Sequence, residues 1–576
     1  MKTAPLLAGL VCLSFCAFAA EDTSVKEAKA RLQNIEQWLE DWNIPEARKE
    51  LTELEKLVPE GVETLHYFQG KVAFEEGKYA EAVELLKKAS AKDSPGSILR
   101  LAQDTLKITQ KHQVAESAHF LFSYPPGKDE VLAPYALETL EKIREALKAD
   151  LGFAPEGKVR VEVVNNAQEL AKVSTLTKEQ IRTTGTIAIC KFNKLMVTSP
   201  KAIVRGYDWL DTLAHEYVHL VVSQKSNNRV PIWLHEGLAK YLESRWRGPA
   251  GLAMSPSTLA LLGLRVKKDS LIPFEKMHPS IALLPTAEDA TTAFAEVFFA
   301  IDLLQKQSGA QGLKTVVEGL RDGLSDKKAV EVTFGKPFVQ FEKSWLQHVK
   351  RQPFPQELIP PERIELAEDK PSQAKKKKAE RDISFGDFDE VKEPEARKFA
   401  HLGEVLRERN RVKAAAVEYG KAHRLVGNRY ESISNKYALA LLELRRFDDA
   451  EKVLLGSLTL HPNSPGTEVK LGRIYIRKKQ WDKARASYLN ALAVHPFDPE
   501  VHIALFRAHE ALQESEQAQR ALKAAVVLTD LRAEEVAEVS RRLAQEADDL
   551  VKVDIPRAKK AEENSLKGDS GSAPGR

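Results

Sequence analysis

The chain has 576 residues, with 86 Lys and Arg against 83 Asp and Glu and a formal net charge of +3 at pH 7. That length exceeds what one hydrophobic core organises, so several domains are expected. Near-balanced charge, with basic residues spread along the sequence, excludes a nucleic-acid footprint, and no run after the N-terminus is apolar for long enough to span a bilayer.

Met1 to Ala20 has Lys2 near its start, an apolar run from Ala4 to Ala17, and the small-x-small stretch Ala17-Phe18-Ala19. These are the parts of a secretory signal peptide over residues 1–19. The sequence therefore predicts an exported protein, periplasmic or secreted, with no transmembrane segment after cleavage. Cys12 and Cys16 leave with the signal, and Cys190 alone cannot form an internal disulfide.

From Val25 to Gln110 the apolar spacing is helical. Ala47 is followed by Leu51, Leu54 and Pro59, and Ala82, preceded by Gly70, is followed by Leu86, Ala89 and Pro95. A period near 34 with small residues at helix crossings resembles tetratricopeptide repeats, and residues 25–110 are assigned to such hairpins.

Residues 111–351 read differently. Ala118 to Ser123 looks like a strand stopped by Tyr124-Pro125-Pro126-Gly127, Val131 to Leu147 a helix, and Val159 to Val164 a second, alternating strand. Thr186 to Thr198 offers a strand pair turning near Asn193-Lys194.

The next stretch carries the chemistry. In His215-Glu216-Tyr217-Val218-His219 the two histidines are four apart, so on a helix they share one face and can hold one metal ion. Leu210, Leu213, Ala214, Tyr217, Val218, Val221 and Val222 surround most of that helix, which marks it as buried. A catalytic zinc site takes three protein ligands and keeps one position open. Glu236, within Pro231-Ile232-Trp233-Leu234-His235-Glu236-Gly237-Leu238-Ala239 on a second helix, is placed to be the third ligand. Glu216 points away from the ligand row, close enough to take a proton from water on the open position, and is the candidate general base.

These residues resemble the gluzincin metallopeptidases, especially peptidase MA-like domains, whose HExxH helix is followed by a P-x-W-L-x-E-G-x-A helix. The resemblance implies a thermolysin-like α+β core, a mixed sheet plus a helical subdomain. It implies that His215, His219 and Glu236 bind Zn2+, that Glu216 is catalytic, and that a peptide or protein is the substrate. Glu243 also matches an aminopeptidase pattern and is given a structural role. A sheet edge in the Ile187 to Val197 region is the candidate for holding substrate backbone by strand addition.

The far wall is expected from the apolar helix Ala290 to Gln307 and the helices that run on to His348. Relatives often present a tyrosine there as oxyanion donor. Ala293-Phe294-Ala295-Glu296 resembles that segment, yet no tyrosine occurs between Tyr241 and Tyr419. His278 and His235 are the substitutes considered. The G-x-M-E-N stretch of aminopeptidases is also missing, which points to an endopeptidase or a dedicated peptidase.

Residues 352–393 read as a disordered linker, with Pro353, Pro355, Pro360, Pro361, Pro371 and the run Lys375 to Lys378. Beyond it Ala415, Ala450, Ala484 and Ala518 recur, with Leu402-Gly403 and Leu471-Gly472 ahead of two of them and Pro462 and Pro496 closing repeats. This is the tetratricopeptide pattern again, over residues 394–552, and its groove is expected to receive a protein partner. Residues 553–576 form a polar tail. Two functions follow: an exported zinc metallopeptidase whose repeats recruit substrate, or an inactive metallopeptidase-like scaffold whose repeats assemble envelope proteins.

Overall fold

The structure, a computed structural model, describes residues 23–94, 96–251, 254–309, 311–355 and 388–545. The signal-peptide reading, most of the linker and the tail lie outside the described residues.

The chain begins with paired helices, α1 (Thr23–Glu40) with α2 (Ile44–Glu55) and α3 (Glu63–Glu75) with α4 (Tyr79–Lys88), followed by α5 (Ile98–Thr109). Local chemistry sets their starts: Asn43 accepts from the Glu46 N–H ahead of α2, and Ser97 accepts from the Arg100 N–H ahead of α5. Gly70 lets α3 and α4 cross closely, because a Cβ there would lie 2.6 Å from Leu86 Cγ.

A five-stranded mixed sheet follows. Its elements are β1 (Gln113–Glu116), β2 (Phe120–Tyr124), α6 (Ala133–Leu151), β3 (Val159–Val164), α7 (Ala167–Val173), α8 (Lys178–Thr184), β4 (Ala188–Lys191) and β5 (Lys194–Thr198). The strand order is β1-β2-β3-β5-β4. β2, β3 and β5 run parallel, which requires the crossover helices between them, while β1 and β4 pair antiparallel at the two edges. Val161, Val163 and Val164 of the central strand are wholly buried, as expected of a strand covered on both faces.

On this sheet lies α9 (Trp209–Ser226), packed against β4, β5 and α6. Leu213, Ala214, Tyr217, Val218, Leu220, Val221 and Val222 are all at 0 % exposure, and each large apolar one contributes about 1.5–3 kcal/mol by leaving water. Asn227, in the left-handed conformation at φ 53°, ends the helix. Then come α10 (Ile232–Leu242), α11 (Pro256–Lys267), α12 (Ala287–Ser308), α13 (Gly312–Arg321), α14 (Asp326–Phe334) and α15 (Phe338–Lys350), which build the wall opposite the sheet.

The C-terminal part is a stack of hairpins: α16 (Pro394–Glu408) with α17 (Val412–Val426), α18 (Glu431–Glu443) with α19 (Phe447–Leu458), α20 (Pro465–Arg477) with α21 (Trp481–Val494), and α22 (Pro499–Ala511) with α23 (Ser515–Thr529), then α24 (Ala533–Gln545). Gly403 faces the Tyr419 ring and Gly472 the Tyr488 ring, where a Cβ would fall 2.8 and 2.5 Å from ring carbons. The spacing matches that of Gly70 and Leu86 in the N-terminal hairpin. Phe388 and Val391, ahead of α16, are buried with the first hairpin.

Candidate metal centre

Helix α9 places His215 and His219 one turn apart on the face toward α10. Their Nε2 atoms stand 3.1 Å from each other, and Glu236 Oε2 lies 3.5 Å from the first and 3.3 Å from the second. For the bonds of about 2.0–2.1 Å that nitrogen and oxygen ligands make to a tetrahedral ion, ligand edges of about 3.3–3.4 Å are required. The observed triangle fits that requirement, and among the described residues it is the group able to hold a metal ion.

Glu236 reaches this point because of its neighbour. A Cβ on Gly237 would sit 2.8 Å from Ile301 Cγ1 and 2.9 Å from the Val297 carbonyl oxygen, so glycine lets α10 lie directly against α12. Trp233 anchors the start of α10, stacked on Phe274 with centroids 4.5 Å apart and donating its indole N–H to Asp326 at 3.2 Å.

The triangle's electrostatics favour positive charge. Burial opposes protonation of His215, but hydrogen bonds to Glu236 and Glu243 outweigh it and push the imidazole up to about 10. Burial likewise opposes ionisation of Glu236, yet His219 and His215 hold its carboxyl well below the usual range. A field that retains a proton so strongly is also suited to a divalent ion. The side chains of His215, His219 and Glu236 keep 14, 10 and 18 % exposure, so the triangle opens onto solvent.

Glu216 is 7 % exposed on the adjacent side of α9. Burial raises its carboxyl above the usual range, against the fields of His219 and His215, and the Cys190 backbone N–H on edge strand β4 donates to it.

Glu243 stands directly behind His215. Its Oε2 meets His215 Nδ1 at 3.0 Å, and its other oxygen accepts from Lys240 Nζ at 2.5 Å. A carboxylate there fixes the imidazole so that Nε2 faces His219 and Glu236. The signal was present in the spacing, since Glu243 lies two helical turns beyond Glu236.

The two histidines considered as oxyanion donors separate. His235 is half-buried, stacked on His219 with centroids 4.4 Å apart, and bonded through Nε2 to Ser223 Oγ at 3.1 Å. Burial lowers it to about 3, so it is neutral. His278 is exposed after the short turn Phe274–Met277. The far wall presents Phe294, its ring centroid 6.4 Å from that of His215.

Comparison with known proteins accords with this geometry. Residues 140–351 match the Peptidase MA superfamily, a span that holds His215, Glu216, His219, Glu236 and Glu243, and residues 469–500 match a tetratricopeptide repeat. No curated protein matches the chain. Among solved structures, leukotriene A4 hydrolase of yeast in complex with bestatin aligns at 14 % identity, TM-score 0.29, over 76 % of this chain and 67 % of that one. The native enzyme from Saccharomyces cerevisiae aligns at 14 % identity and TM-score 0.29, over 73 and 66 %. No helix among the described residues is long and apolar enough to cross a membrane. The chain thus carries a peptidase MA superfamily domain, with both histidines and the distant glutamate inside it, together with a tetratricopeptide repeat.

Proposed function

We propose that this protein is an exported zinc metallopeptidase of the gluzincin type, acting on a peptide or protein. One observation carries the reading: two imidazole nitrogens and a carboxylate oxygen converge within 3.5 Å of one another beside buried Glu216. Two neutral imidazoles with one carboxylate are the donor set of a catalytic zinc site. Zinc there supplies a Lewis acid that acidifies water and polarises a carbonyl.

The chain's own residues do the rest. His215, His219 and Glu236 are the ligands, and Glu243 orients His215. Glu216 takes the proton of the attacking water and passes it to the leaving amine, a task suited to a carboxylate whose basicity burial has raised. The edge strand β4 offers its backbone to an extended substrate. The core is of thermolysin type, with tetratricopeptide-type hairpins on both sides whose C-terminal groove takes a protein partner or part of the substrate.

The test is zinc content and peptide cleavage for the protein and for Glu216→Gln. Zinc retained by both, with cleavage lost only in the variant, supports the enzyme. A second reading, an inactive scaffold whose repeats assemble envelope proteins, is favoured by Phe294, which brings no hydroxyl to the wall facing His215. It predicts zinc without cleavage in the unaltered protein.

A further inference from the structure

Helix α9 is held at its N-terminal end by the C-terminal hairpins. Leu492 lies in the last turn of α21, where carbonyls run out of partners within the helix. The residue four positions on is Pro496, which has no N–H to offer. Trp209, the first residue of α9 and 1 % exposed, fills that place: its indole N–H donates to the Leu492 carbonyl at 3.1 Å. Two residues earlier, the Tyr207 N–H donates to the Val494 carbonyl at 3.1 Å. Gly206, at φ +71°, leaves room for the approach, since a Cβ there would stand 2.1 Å from the Val494 oxygen. The Tyr207 hydroxyl donates to the Thr198 carbonyl at 2.5 Å, tying the same loop to the end of β5.

This contact belongs to a wider joint. Buried residues from the sheet, from α9 and from the second to fourth C-terminal hairpins form a single hydrophobic cluster, while the first hairpin has its own. At the rim Arg520 pairs with Glu138 and lies 5.6 Å over the Tyr135 ring, and Lys523 reaches Glu130 at 2.7 Å.

We infer that the C-terminal hairpins are a fixed buttress of the metal centre and not an arm tethered to it, with Trp209 as a positioning residue that hangs helix α9 from the Leu492 carbonyl. His215 is six residues along the same helix, about 9 Å away along a rigid rod, so a shift of its first turn moves the ligands. The inference rests on His215, His219 and Glu236 being the ligands.

The experiment uses the full chain with a protease site placed between residues 356 and 387. Zinc affinity is measured by competition with a chromophoric chelator, before and after cutting, alongside gel filtration. The expected result is that both pieces elute together after cutting, with zinc affinity within twofold of the uncut protein. Trp209→Phe keeps a ring and loses the donor; with an unchanged circular dichroism spectrum it should bind zinc roughly three- to tenfold more weakly. Arg520→Ala, which removes the rim pair with Glu138 and the contact over the Tyr135 ring, should bind zinc as the unaltered protein does.

Pieces that separate while the N-terminal one keeps full zinc affinity would overturn the buttress. Unchanged zinc affinity in Trp209→Phe would overturn the role of that residue. If the unaltered protein binds no zinc, the metal reading fails on its own, and co-elution of the pieces still decides whether the hairpins are clamped.

Discussion

The two sets of helical hairpins are joined to the peptidase MA superfamily domain by opposite means. At the N-terminal joint charge is buried: Glu162 of β3 and Lys194 of β5, 4 and 0 % exposed, meet at 2.7 Å, and Tyr79 of α4 bonds to both. Arg160 adds bonds to Tyr79 and to the Glu75 carbonyl. At the C-terminal joint the core is apolar, its polar contacts are to backbone carbonyls, and the charged pairs stay at the rim. A buried ion cluster fixes geometry at a high desolvation cost, whereas a continuous apolar core adds stability directly. The N-terminal joint should therefore be the more sensitive to single changes.

The largest effect is expected from Glu162→Gln, which leaves Lys194 and Arg160 without their carboxylate. The loss should be about 3–5 kcal/mol of unfolding free energy, with part recovered in the double change Glu162→Gln with Lys194→Met. Urea unfolding measures both. Recovery of nothing would show that the cluster is not a coupled unit.

The joints should also part in acid. Burial opposes ionisation of Glu162, but Lys194 and Arg160 prevail and hold its carboxyl below the usual range. A depressed carboxyl contributes stability above its unfolded pKa of about 4.5 and loses it as pH falls through the folded value. Hydrogen exchange followed downward from pH 5 should open α3 and α4 before α21 and α22.

Glu296 on α12 sharpens the point, because the same side chain without a close cation moves the other way. Burial pushes it up to about 8, against the Ile272 N–H and the field of Arg265. A raised carboxyl contributes stability below its unfolded pKa and loses it as pH rises to the folded value. From about pH 5 to 8 the protein should lose on the order of 3 kcal/mol relative to Glu296→Gln, read from urea midpoints at each pH.

Smaller effects belong to the C-terminal joint. Trp209→Phe leaves a buried carbonyl without its donor and should cost about 1–3 kcal/mol in thermal unfolding. Arg520→Ala removes a partly exposed ion pair, and its effect should stay within about 1 kcal/mol. A larger cost at the rim than at Trp209 would reverse the account of this joint.

What could be read in advance follows the same division. The candidate ligand triangle was legible because helical periodicity alone puts His215 and His219 on one face, and the run around Glu236 announces a second helix. A strand expected over 118–123 forms at Phe120–Tyr124, the alternating one at Val159–Val164 forms as read, and the strand pair expected within 186–198 forms at Ala188–Lys191 and Lys194–Thr198. Strand β1 was not legible: Gln113 to Glu116 is short, mostly exposed, and becomes a strand only by pairing with β2. The hairpin turn falls at Phe192-Asn193, both at positive φ, one residue before the expected place. Tertiary packing decides that register, since the Phe192 ring lies 5.3 Å from Phe74 of the N-terminal hairpins. The C-terminal joint left almost no trace in sequence, because its acceptors are main-chain carbonyls, which every residue has.

The proposed ligand triangle is tested most directly by diffraction from crystals grown with zinc, using anomalous scattering recorded on both sides of the zinc edge. The account predicts one strong peak within about 2.0–2.2 Å of His215 Nε2, His219 Nε2 and a Glu236 oxygen, and its loss in Glu236→Ala. A peak elsewhere, or the three side chains turned apart with no peak among them, would contradict it.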